Sequence, residues 1–110
     1  SFDFLDQAVI NFLQNQTANR TINFRGNSST SLNSMLAANE SVTCSIAMPQ
    51  GSTAYYLNAY QIDGSSVTPK WANDSTPSGG NASSTDVYTF TIIKTADATF
   101  TVLASQTQYK

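Results

Sequence analysis

Apolar and polar residues alternate with a period of two through most of this chain, and this limits the fold more than any other feature. From Ser41 to Met48, the side chains of Val42, Cys44, Ile46 and Met48 fall on one side of an extended strand and Thr43, Ser45 and Ala47 on the other. Residues 86–94 repeat the pattern, with Tyr88, Phe90 and Ile92 on one face and Val87 and Ile93 on the other. Residues 99–104 do so again, Phe100 and Val102 alternating with Thr101 and Leu103. A helix would scatter these residues around its axis, so the segments are predicted to be strands.

The punctuation between them agrees. Pro49-Gln50-Gly51-Ser52 is a turn, with Pro and Gly where turns use them. Thr53 to Ile62 is the next strand and ends at Asp63-Gly64, a strong hairpin signal, so Ser66 to Trp71 is predicted to fold back against it. Thr95-Ala96-Asp97-Ala98 turns the chain into its last strand. In the first third, Thr21 to Arg25 is a short strand with Ile22 and Phe24 inward. Residues 7–13 fit either a strand paired with it across Asn15 to Asn19, or an amphipathic helix; the β-prone Val9, Ile10 and Phe12 favour the strand. Leu32 to Ala38 reads as a helical turn that plugs one end of the core.

About seven short strands separated by turns predict an all-β domain, a two-sheet antiparallel β-sandwich spanning residues 1–110. Its expected core is Ile22, Phe24, Val42, Cys44, Ile46, Phe90, Ile92, Phe100 and Val102. Residues 1–19 stand apart as an oligomerisation or linker segment. Phe2, Phe4 and Leu5 make that start too apolar for a free terminus, so they are expected to be covered by another copy, a trimer being favoured, or by the rest of a longer protein. Ser1 in place of an initiator Met marks the chain as processed or as part of something longer.

The chemistry of catalysis is thin. There is no histidine, so the commonest general base is missing, and the seven acids each read as cap or turn residues. No catalytic residue, cofactor or metal site is assigned, and the protein is expected not to be an enzyme. Zinc would need Cys and His partners that are absent, and Asp74 and Asp86 lack the spacing of a calcium loop. Cys44 is the single cysteine, in phase with the core, and is expected to be buried rather than reactive. Five scattered basic residues and a net charge of −2 argue against nucleic acid, and no apolar run is long enough for membrane insertion. Asn15, Asn19, Asn27, Asn39, Asn73 and Asn81 each begin an Asn-x-Ser/Thr triplet, which matters only on a secretory route.

Ser, Thr and Asn together exceed a third of the chain, giving a polar, nearly uncharged surface. Such surfaces suit domains that meet sugars and subunits packed in large assemblies. Tyr55, Tyr56, Tyr60 and Trp71 gather at one hairpin. They either fill the core or form an outward platform for sugar rings or a neighbouring subunit. The loop from Ala72 to Thr85 is long and polar, and with Asn73 and Asp74 beside Trp71 it completes the candidate binding surface.

The segments Asn23-Phe24-Arg25-Gly26-Asn27, Ser31 to Leu36, Gly51 to Tyr56, Ile62-Asp63-Gly64 and Val67-Thr68-Pro69-Lys70-Trp71 carry a resemblance, as do Gly80-Asn81-Ala82, Asp86-Val87-Tyr88 and Thr91 to Gln108. Over about four fifths of the chain they resemble a domain of structural proteins of tailed bacteriophages, notably those of marine and cyanobacterial hosts. Where that family places a Gly-Gly pair after its Trp, this chain carries Asn73 and Asp74, which tolerate left-handed backbone. The resemblance implies a virion module assembled in the bacterial cytoplasm, with other virion proteins as partners. It also implies a position in a tail fibre or in head decoration; the polar loops and exposed aromatics favour the fibre or appendage, with a host-surface glycan as its expected ligand. A secreted carbohydrate-binding module is the rival reading.

Overall fold

The computed structural model describes residues 1–6, 9–12 and 14–110. Its elements are β1 (Phe2–Asp3), β2 (Val9–Asn11), β3 (Arg20–Arg25), α1 (Leu32–Met35), β4 (Ser41–Pro49) and β5 (Leu57–Ile62). They continue with β6 (Ser65–Ser66), β7 (Lys70–Trp71), β8 (Thr85–Ala96) and β9 (Thr99–Tyr109). One sheet has the order β1-β3-β5-β6 and the other β2-β4-β8-β9-β7.

Two sheets were expected, but not their mixed direction. β1, β3 and β5 run parallel, as do β2 with β4 and β7 with β9; only β5–β6, β4–β8 and β8–β9 are antiparallel. The cause is the path of the chain. From β1 to β5 each successive strand lies in the other sheet, so a strand re-entering its own sheet has crossed over and points the same way as the last. Alternation fixes which face a residue takes, and that is the same beside a parallel or an antiparallel neighbour.

The crossing also corrects the pairing of the first third. Val9–Asn11 is a strand, but it pairs with Ser45–Ala47 of β4 and not with residues 21–25. Gln7, Ala8 and Leu13 of that stretch lie outside the described residues. The hairpin at Asp63-Gly64 is present, with both turn residues at positive φ (50° and 82°), as a two-residue primed turn requires. Its returning arm is shorter than predicted. Ser65 and Ser66 pair with β5, then Pro69, which has no N–H to give a ladder, ends the run, and Lys70–Trp71 cross to β9.

The core lies between the sheets and follows the predicted phase. Cys44 faces Phe90, Ile46 faces Tyr88 and Val42 faces Ile92 across β4 and β8. Phe24 meets Phe90 edge-on across the two sheets at 5.1 Å between ring centroids. Val42 and Phe100, expected inside, are half-buried at its margin, whereas Leu57, Ile62 and Met48 are fully enclosed. Phe2 is a core residue too, 0% exposed, in ring contact with Phe4 and Phe24. Phe2 is therefore covered by its own chain. Phe2 is not free for an oligomer contact, Phe4 is half-buried and Leu5 stays open. Within residues 1–19, β1 lies in one sheet and β2 in the other.

Helix α1 plugs one end, burying Leu32, with Leu36 just beyond it also buried. Four residues cannot hold a helix alone, and here both ends are tied to strands. The Asp63 carboxylate accepts from the backbone N–H of Leu32 (2.6 Å) and Asn33 (3.0 Å). At the other end the Lys94 ammonium, buried, donates to the carbonyls of Asn33 and Leu36 at 2.6 and 2.8 Å.

Candidate binding cleft beside Trp71

Strand β5 and the segment from β6 to β7 frame a cleft of about 290 Å³, floored by Tyr60 and Trp71 and edged by Asn58, Ser66 and Thr68. Thr76, from the loop after β7, closes one side and also borders a second hollow of about 350 Å³ formed by that loop. Neither hollow presents a charged side chain.

Of the six residues predicted for binding, the fold brings two together. Tyr60 and Trp71 meet edge-on at 5.6 Å between centroids. Both rings also rest on Phe90, and Trp71 on Tyr88, so each has one side in the core and one on the cleft. Burial pushes the Tyr60 phenol far up from its ordinary pKa, and it donates to the Leu57 carbonyl. It is held neutral as a hydrogen-bonded wall. Tyr55 and Tyr56 lie apart from the cleft, before β5. The Tyr55 backbone is clasped by the side-chain amide of Gln50, and the N–H of Tyr56 donates to Asn19 at 3.0 Å. Asn73 and Asp74 are exposed in a short 3-10 turn, both in left-handed backbone (φ 55° and 57°), the conformation those residue types tolerate.

The loop is fixed at its far end by a buried carboxylate. Asp86, 0% exposed, accepts from the backbone N–H of Asn81 at 2.8 Å, from Asn81 Nδ2 at 2.7 Å and from Gln50 Nε2 at 3.2 Å. Gly80 passes so close to the Tyr55 carbonyl that a Cβ would stand 2.2 Å from its oxygen. Gln106 Nε2 reaches the Gly79 carbonyl (3.1 Å) and the Tyr88 hydroxyl (2.8 Å), which in turn accepts from the N–H of Leu57 (3.2 Å). The stretch from Gly79 to Ser84 is thus a shelf held by hydrogen bonds, and residues 75–78 form the rim of the hollow beside it.

Asp86 is therefore not a cap or turn residue, as its type had suggested. The missed signal was its phase, since it shares the inward register of Tyr88, Phe90 and Ile92, where an acid must find several donors. Lys94 sits in the same register. Asn58, Ser66 and Thr76 carried no comparable signal, because only the crossing of β7 brings them to one opening.

Burial pushes the Cys44 thiol up to about 12, so it stays protonated at ordinary pH. Among the described residues no three His, Cys, Asp or Glu side chains gather to hold a metal. Among the described residues no helix is long and apolar enough to cross a membrane. The cleft can offer aromatic faces, hydroxyls and amides to an uncharged polar partner. Comparison with protein-family models, with curated proteins and with solved structures finds no match to this chain.

Proposed function

We propose that the chain is a non-enzymatic β-sandwich module of a tailed-phage virion, placed in a tail fibre or similar appendage, where it joins other virion proteins and meets the host surface. The observation that carries the binding role is the cleft itself. Two core-anchored rings, Tyr60 and Trp71, form an uncharged floor rimmed by hydroxyls and an amide, which is the chemistry that meets a neutral glycan. The resemblance of residues 22–109 to tailed-phage structural domains supports the virion setting. Head decoration and a secreted sugar-binding module are the competing placements.

Rim variants test this better than removal of Trp71, whose loss would also empty space against Phe90 and Tyr88. Particles carrying Asn58→Ala with Thr76→Ala are expected to assemble at normal yield and to adsorb to host cells about tenfold less well, as loss of roughly 1.4 kcal/mol of contact requires. Failed assembly or unchanged adsorption would overturn the recognition role.

A further inference from the structure

The outward face of the five-stranded sheet carries no charge along its three long strands. The residues pointing out from β4, β8 and β9 occupy odd-numbered positions, in the register that pairs Ser45 with Thr89 and Thr89 with Ser105. The centre of the face is a field of hydroxyls, with Thr43 and Thr91 side by side at 3.3 Å between their oxygens. Exposed aliphatic and aromatic groups interrupt it. Leu103 is 43% exposed, Tyr109 59%, and Val9, which joins the face through its pairing with Ser45, 58%. The chain has twelve charged residues (five basic, seven acidic). The two on these long strands, Asp86 and Lys94, both turn inward and are buried. Lys70, opposite Leu103 on the short edge strand β7, is the charge at the rim. The other sheet differs, because the Asp3–Arg25 ion pair (2.6 Å) crosses its two neighbouring strands.

We infer that this face is where two copies of the chain pair, back to back about a two-fold axis. In such a contact every group meets the same surface of its partner, so a charged patch would confront its own sign. A face cleared of charge has no such penalty. Threonine and serine hydroxyls both donate and accept, and can satisfy one another across the seam. The area suffices. Strands of 9, 12 and 11 residues about 4.8 Å apart, flanked by the short β2 and β7, offer roughly 600 Å² per copy at about 3.4 Å per residue, at the lower end of the ~600–1,000 Å² per partner of a standard interface. The inference deepens the reading of the chain as an assembly part, but it uses a different surface from the cleft and needs no host ligand.

The test is light scattering on the purified chain at concentrations up to about 100 μM, a range that registers micromolar pairing. The expected result is a dimer. Thr89→Lys and Thr89→Glu, each at the exposed centre of the face, are expected to be monomers alone, with unchanged circular dichroism, and to form a mixed dimer when combined. If either fails to fold, Ser105→Lys and Ser105→Glu repeat the exchange one strand away. A wild-type monomer throughout the range would give the face to a different chain and overturn the proposal. So would a trimer, or a dimer that survives both charges. Adsorption of particles carrying the cleft variants is measured separately, so failure of one idea leaves the other standing.

Discussion

Cys44 shows how a single residue in this core ties stability to pH. Its thiol is 2% exposed and its pKa is pushed up to about 12 by burial, against an ordinary value near 9. The folded state holds the proton more tightly than the unfolded state does. The contribution to stability is therefore intact below about pH 9 and is lost as pH rises towards 12, by about 1.4 kcal/mol per unit. Alkaline titration of unfolding is expected to show this loss, and Cys44→Val to move the midpoint upward; an unmoved midpoint would refute the assignment. Asp86 acts through hydrogen bonds instead. Asp86→Ala leaves the Asn81 and Gln50 donors without their acceptor and is expected to destabilise by about 3 kcal/mol. It should also speed hydrogen exchange at the Asn81 amide, which donates to it. Asp86→Asn, keeping one acceptor oxygen, should fall between. Residues such as these were legible in the sequence by phase alone: Cys44 was read correctly because its in-phase neighbours are apolar. The acidic type of Asp86 points to a turn or cap, and only its phase points inward.

At the scale of elements, position is more readable than support. The helical turn at α1 is legible in Leu32 to Ala38, with Ser31 as its local N-cap, but four residues cannot hold a helix alone, and the further ties at its ends come from Asp63 and Lys94, distant in the chain. Lys94→Met retains the aliphatic stem and removes the ammonium from two carbonyls. It is expected to cost about 2 kcal/mol in urea unfolding, and an effect within about 0.5 kcal/mol, as for an ordinary surface change, would show the tie to be idle. The strand faces of β4, β8 and β9 were evident from the alternation, and so was the turn at Asp63-Gly64. Strand partners were not. Val9, Ile10 and Phe12 favour extended backbone by their type, but nothing in them records that the neighbour of this strand is β4 rather than β3. Likewise the cleft's aromatic floor was foreseeable in Tyr60 and Trp71, while its rim depends on where Pro69 releases the chain.

For the molecule as a whole, the repeated crossing between sheets means that most pairings join residues far apart in sequence. β1–β3–β5 and β2–β4 form only after long loops have closed. Refolding is therefore expected on the millisecond-to-second scale of all-β domains rather than in microseconds, and stopped-flow fluorescence of Trp71 against Tyr88 and Phe90 reads it directly. A sub-millisecond single phase would contradict the topology.

Strand β8 has a further consequence for how such a chain can change over generations. Its even positions, from Asp86 to Lys94, are locked into the interior, while its odd positions, from Thr85 to Ile93, lie on the outward face, half-buried beside their cross-strand neighbours and exposed at Thr89. Heritable change at the odd positions can alter what the sheet adheres to without disturbing the fold. The even positions leave almost no such freedom. One stretch of chain thus holds two independently mutable messages, interleaved residue by residue, and a lineage could exchange its partner while keeping its architecture.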